Sequence, residues 1–163
     1  MGQSLCKIYL HIVFHINTKS PIILDQDLES LHRYIGKMVN TTGSQTLRVG
    51  GVSNHIHVVC ALGKQENVAH LVEEMKRNSS RWIKTLSPYY QSFAWQSGYA
   101  AFSVSQSALE KTIEYVKNQK EHHQKRTYKD EYLTFLNLYN VEYNEQYVLS
   151  DCPMIIPLQT QPH

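Results

Sequence analysis

Two stretches of this chain carry side chains whose types and spacing can do chemistry. In Asn54-His55-Ile56-His57-Val58-Val59, two histidines stand at i and i+2. On a strand that spacing turns both imidazoles to one face, close enough to hold one metal ion, while Ile56, Val58, Cys60 and Leu62 point the other way into a core. Histidines also alternate on exposed strands without any such role, so the pair alone does not decide. In Ile113-Glu114-Tyr115-Val116-Lys117-Asn118-Gln119, a tyrosine and a carboxamide at i and i+4 share one helical face. Tyr115 could pack with Ile113 and Val116 as core. The polar flanks Glu114, Lys117, Asn118, Lys120 and Glu121 favour a surface or functional tyrosine instead. His122 and His123 extend the same face by about one more turn.

The elements that must position these groups follow from periodicity. Leu5 to Ile16 alternates, with Ile8, Leu10, Ile12, Phe14 and Ile16 on one face and Lys7, Tyr9, His11, Val13 and His15 on the other, as a half-buried strand does. Asp25 to Thr42 carries Leu28, Leu31, Ile35, Met38 and Val39 at helical spacing, and Gly43 stops it. Thr46 to Val52 and His55 to Leu62 form a hairpin joined at Ser53-Asn54, with Gly50-Gly51 as a bulge or tight bend. A second helix, capped by Asn67, runs to about Leu86 before Ser87-Pro88. Gln91 to Val104 reads as an extended aromatic segment interrupted at Gly98, and a third helix, capped by Ser105 or Ser107, spans about Ala108 to Lys125. A last helix covers Glu131 to Tyr139. This order predicts an α+β fold, a ferredoxin-like or RRM-like sandwich whose helices pack on one face of an antiparallel sheet and leave the other open. One domain over 1–147 and a proline-containing tail over 148–163 are expected.

Composition narrows the classes. The chain has 163 residues, 42% hydrophobic and 18% charged, with no apolar run near the roughly 20 residues of a membrane helix, so no membrane partner is expected. The N-terminus enters the first strand without a signal-peptide pattern, which predicts a cytoplasmic location. Cys6, Cys60 and Cys152 show no C-x-x-C spacing and read as reduced thiols. A net charge of +2 and a pI near 8.4 permit nucleic-acid binding without announcing it.

Taken together, the motifs resemble one family along most of the chain, from about Leu5 to Tyr147. They are His11-Ile12-Val13-Phe14 followed by Thr18-Lys19, the His-hydrophobic-His strand, and Lys76-Arg77-Asn78-Ser79-Ser80-Arg81-Trp82. Trp95-Gln96-Ser97-Gly98-Tyr99-Ala100-Ala101-Phe102-Ser103-Val104 and Tyr115-Val116-Lys117-Asn118-Gln119 complete the set. In this order they are similar to the single-tyrosine HUH transposases of bacterial insertion sequences. The resemblance implies His55, His57 and Gln119 as metal ligands and Tyr115 as the nucleophile. Related replication initiators typically carry Lys where this chain has Gln119, so the transposase branch is the closer likeness.

What the resemblance implies is cleavage and rejoining of single-stranded DNA at hairpin-marked ends through a 5′-phosphotyrosine. It also implies a homodimer in which one protomer's tyrosine helix completes the other's site. A phenol with a pKa near 10 needs help to attack a phosphodiester at neutral pH, and a divalent cation supplies part of it. Two nitrogens and an amide oxygen suit Mg2+ or Mn2+, Mn2+ tolerating imidazole better. The residue before the first motif histidine, often Asp in the family, is Asn54 here, which predicts weaker support for His55. His122 and His123 compete with Gln119 for the third position.

For DNA contact, Lys76, Arg77, Arg81 and Lys84 form a basic stripe on the second helix. It reads equally as a phosphate track or a solvated face, and Trp82 as core or stacking platform. Two other functions compete. A catalytically inactive hairpin-binding descendant would not need the intact His55, His57, Tyr115 and Gln119. A histidine phosphoesterase would need a second His-x-Ser/Thr strand, which is missing.

Overall fold

The structure, a computed structural model, describes residues 2–144. The expected tail, 148–163, the domain limit at 147 and Cys152 lie outside the described residues. Four strands, β1 (Tyr9–His15), β2 (Gln45–Val52), β3 (His55–Ala61) and β4 (Ala100–Val104), form one antiparallel sheet in the order β2-β3-β1-β4. α1 (Asp25–Thr41) and α2 (Val68–Lys84) give the β-α-β-β-α-β order expected of a ferredoxin-like sandwich.

Alternation along β1 and β3 builds the main core. Leu10, Ile12, Phe14, Ile56, Val58 and Cys60 meet Leu28, Leu31, Ile35 and Val39 of α1 and Leu71, Val72, Met75 and Ile83 of α2. Each fully buried aliphatic there contributes roughly 1.5–3 kcal/mol. Asn67 caps α2 by accepting from His70 N at 2.8 Å. Trp82 stacks on Tyr34 of α1, ring centroids 4.8 Å apart, so it is packing between helices rather than a free platform.

The second face of the sheet is not open. α3 (Leu109–Lys117), α4 (Gln119–Lys125) and α5 (Tyr128–Leu138) cover it. Val13, Ala100 and Phe102 pack there with Tyr128 and Leu136, and His11, His55 and His57 are fully buried. The helix expected over Ala108 to Lys125 divides at Asn118, and the last helix starts at Tyr128 rather than Glu131 because Thr127 caps it, accepting from Asp130 N at 3.1 Å. Ser105, not Ser107, caps the turn before α3.

The aromatic segment is mostly not extended. Tyr90, Phe93 and Trp95 fold into the main core, with the Trp95 ring 4.8 Å from Phe14 and its indole N–H donating to Ser79 Oγ at 2.9 Å. Only Ala100–Val104 remains as strand.

The β-bulge sits at Leu47, between Thr46 and Arg48, and Gly50-Gly51 stays in register with His57 and Ile56. Those glycines serve close approach. A Cβ on Gly50 would lie 2.2 Å from the Val116 carbonyl oxygen of α3, and Gly51 has φ +146 with a virtual Cβ 2.3 Å from His55 O. The Ser53-Asn54 turn is fastened from outside, Ile16 N donating to Asn54 O and Ile23 N to Ser53 O. That fixes where β3 begins, and so where His55 points.

Candidate active site

His55 and His57 leave β3 on the same face, ring centroids 5.0 Å apart. Each has a partner at Nδ1. His55 Nδ1 lies 2.7 Å from Asn54 Oδ1, and His57 Nδ1 lies 2.7 Å from His11 Nε2. Asn54 thus places an oxygen acceptor behind His55, without the negative charge that an aspartate would bring. The two Nε2 atoms converge on one place. His57 Nε2 is 2.9 Å from Glu131 Oε1; His55 Nε2 is 3.4 Å from the same oxygen and 3.2 Å from Gln119 Oε1.

His55, His57 and Glu131 present ligand atoms within 4.8 Å of one another, and all three residues are buried. Gln119 adds its oxygen beside them. The chemistry of this set fits a divalent cation. Burial, chiefly, pushes His55 down to about 3, so it is neutral at pH 7. With its Nδ1–H donating to Asn54, its Nε2 lone pair faces two more acceptors, Gln119 Oε1 and Glu131 Oε1, and an imidazole, a carboxamide and a carboxylate together suit Mg2+ or Mn2+.

His11 is likewise pushed down to about 3, mainly by burial and then by His57. As a neutral ring it can accept from His57 Nδ1–H, the tautomer that frees His57 Nε2 for a ligand role. Burial pushes the Glu131 carboxyl up, but the His123, His55 and His57 imidazoles around it outweigh that and hold Glu131 ionised.

Tyr115 is partly buried beside this cluster, its ring edge-on to His57 at 6.0 Å, and its hydroxyl donates to Glu131 Oε2. Burial first, then the Glu131 charge, raises its pKa above the ordinary tyrosine value. Tyr115 is therefore neither core filler nor surface decoration, since its only polar group is spent on the cluster. His122 stacks on the Tyr115 ring at 4.4 Å, which makes it a neighbour of the tyrosine, not of the histidine pair. His123 does reach the cluster, its Nε2 3.1 Å from Gln119 Oε1 and 3.4 Å from Glu131 Oε2.

Of the residues singled out in the sequence, His55, His57, Tyr115 and Gln119 are brought together, and the basic stripe is not. α2 packs on the opposite face of the sheet. Lys76 donates to the carbonyls of Gln96 and Gly98, at 2.6 and 2.8 Å, and Arg77 pairs with Glu73 and Glu74. Arg81 and Lys84 complete the last turn of α2.

Sequence reasoning missed Glu131 and His11. Glu131 had a signal: Tyr128, Glu131, Tyr132, Phe135 and Leu136 form an apolar helical stripe with one carboxylate in it. His11 sits on the polar face of β1, the strand that pairs with the histidine strand.

The family model described as "Transposase IS200 like" matches residues 4–119, a span that contains His55, His57 and Tyr115 and ends on Gln119. The chain belongs to the IS200-like transposase family. Two solved structures of transposases share the fold. One, from Deinococcus radiodurans R1 and provisionally described as a transposase, is 16% identical with a TM-score of 0.56, covering 73% of this chain and 96% of its own. The other, a REP-associated tyrosine transposase bound to a REP hairpin, is 11% identical with a TM-score of 0.56, covering 76% and 73% respectively. No curated protein matches this family member by sequence. Glu131 and His123 lie beyond the matched span, so the family pattern by itself does not point to them.

Proposed function

We propose that this transposase cleaves and rejoins single-stranded DNA at hairpin-marked ends, with Tyr115 as nucleophile and His55, His57 and Gln119 as metal ligands. The observation that carries the reading is the convergence of Tyr115, Gln119 and both histidine Nε2 atoms on one buried carboxylate, within a chain of this family. Mg2+ or Mn2+ bound there would neutralise charge building on the phosphoryl oxygens and the departing 3′ oxygen.

The chain's own residues account for the rest. The Tyr115 oxygen attacks phosphorus, the bond to the 3′ oxygen breaks, and a 5′-phosphotyrosine and a free 3′ hydroxyl result. Glu131 Oε2, already in contact with the phenol, receives its proton. Attack by another 3′ hydroxyl on the phosphotyrosine returns the phenol and reseals the strand, one ester replacing another. Asn54 and His11 hold the two imidazoles in orientation from behind. The homodimer implied by the resemblance is proposed to hold two DNA ends. Lys76, Arg77, Arg81 and Lys84 are proposed to touch DNA only at a distance from the cleaved bond. No helix among the described residues is long and apolar enough to cross a membrane.

The test is direct. Protein with Mn2+ and a pool of end-labelled hairpin oligonucleotides is run on a denaturing gel. A covalent adduct that disappears with Tyr115→Phe and with a chelator is the expected result. Tight hairpin binding without any adduct would instead favour a binding protein that has lost cleavage.

A further inference from the structure

The outer edge of the sheet carries a second concentration of positive charge, outside the α2 stripe. α1 and the edge strand β2 enclose a groove of about 510 Å³, lined among others by His32, Arg33, Lys37, Asn40 and Arg48. Its polar groups are mostly donors. Arg33 shares Glu29 on the rim at 3.0 Å, both side chains being exposed. Lys37 and Arg48 are exposed and have no acidic partner among the described residues. Asn40 spends its Oδ1 on Thr46 N at 3.0 Å, which leaves its amide hydrogens to the groove. Arg33 and Lys37 stand one helical turn apart, about 6 Å along the axis, a rise similar to the step between successive phosphates of an extended strand. On α2, by comparison, Lys76 and Arg77 are already occupied.

The groove also joins the tyrosine. Val49 lines it, and the next residue, Gly50, lies against the carbonyl of Val116, the neighbour of Tyr115. Lys120, next to Gln119, reaches Asp25 at the start of α1 at 3.1 Å. Burial first, then the nearby charges of Arg48 and Lys120, holds His32, which lines the groove, down to about 4. A strand leaving Tyr115 around the edge of β2 would thus pass Lys120, Arg48 and Lys37 in turn.

We propose that this groove binds the sugar-phosphate backbone of the single strand that flanks the bond attacked by Tyr115. The assignment rests on the Tyr115 reading for the polarity of the path, but not for the binding itself. Recognition is by charge and N–H donors, so it is independent of base sequence.

The experiment uses the full chain carrying Tyr115→Phe, so that binding is measured without covalent capture. Labelled hairpins with and without a single-stranded flank are titrated by fluorescence anisotropy across a salt series. Lys37→Ala/Arg48→Ala, two exposed changes that should leave Tm nearly unmoved, is expected to weaken binding of the flanked hairpin about tenfold. It should also lower the magnitude of the log–log salt slope by about 1.4, two contacts at about 0.7 each. The unflanked hairpin should bind as before. Unchanged affinity and slope on flanked DNA, equal losses on both DNAs, or a change in oligomeric state by light scattering would each overturn the groove assignment. Adduct formation by the chain with Tyr115 intact is scored separately, so a failed groove and a failed nucleophile give different results.

Discussion

The two faces of one sheet have been put to opposite uses. Toward α1 and α2, β1 and β3 present Leu10, Ile12, Phe14, Ile56, Val58 and Cys60, which join the apolar faces of those helices in one hydrophobic core. Toward α3–α5 the same strands present His11, His55 and His57, equally buried, and these meet Glu131, Gln119, His123 and Tyr115. Burial is alike on both sides; what differs is whether it is repaid by removing carbon from water or by hydrogen bonds among titratable groups. An apolar face tolerates approximate packing, whereas a polar cluster of this kind depends on every partner. One face therefore serves stability and the other is the proposed seat of chemistry, and substitutions can separate them.

The largest separation is expected at Tyr115. Tyr115→Phe should lower covalent adduct formation by more than about 10³-fold while leaving Tm within a few degrees, because it removes the proposed nucleophile and one hydrogen bond. A fall in Tm as large as that of a core variant would break the comparison. Leu31→Ala, on the apolar side, is expected to cost about 2–5 kcal/mol in urea unfolding, with Mn2+ affinity unchanged wherever the protein is folded.

Acid should act through the buried histidines. His11 and His55 are held down to about 3 and His32 to about 4, against 6.5 when exposed. Between pH 6.5 and those values the unfolded chain binds protons that the folded chain refuses, so stability is full above pH 6.5 and falls as the pH drops through this window. A loss of about 1.6 kcal/mol for each of these rings between pH 6.5 and 5 is expected from urea midpoints; a flat profile would mean these rings are not buried neutral. The smallest of the four effects is at His11. His11→Phe keeps the aromatic packing against Phe135 but removes the acceptor behind His57, and calorimetry should find Mn2+ bound about 10-fold more weakly.

Much of this was legible from alternation and helical spacing. β1, α1, the hairpin, α2 and the pairing of Tyr115 with Gln119 follow from local patterns, and local patterns are what β3 and α3 obey. What was not legible depends on tertiary contact. Phe93 and Trp95 suit a strand as well as a core, and only the space beneath Phe14 decides between them. The cover over the histidine face comes from α5, whose Glu131 reads as a helix-start acid until it is seen that the helix begins three residues earlier and turns that carboxylate inward. His11 belongs to the site only through the register that sets Val13 opposite His57.

The contact of Gly50 with the Val116 carbonyl has a consequence for position. Where α3 rests on β2 at this point, the strand brings no side chain of its own, and the helix backbone and the buried Val116 side chain close directly on the glycine. The tyrosine proposed to meet a DNA strand is thus mounted one residue from a seam with no slack, and any larger residue at position 50 would wedge that seam apart.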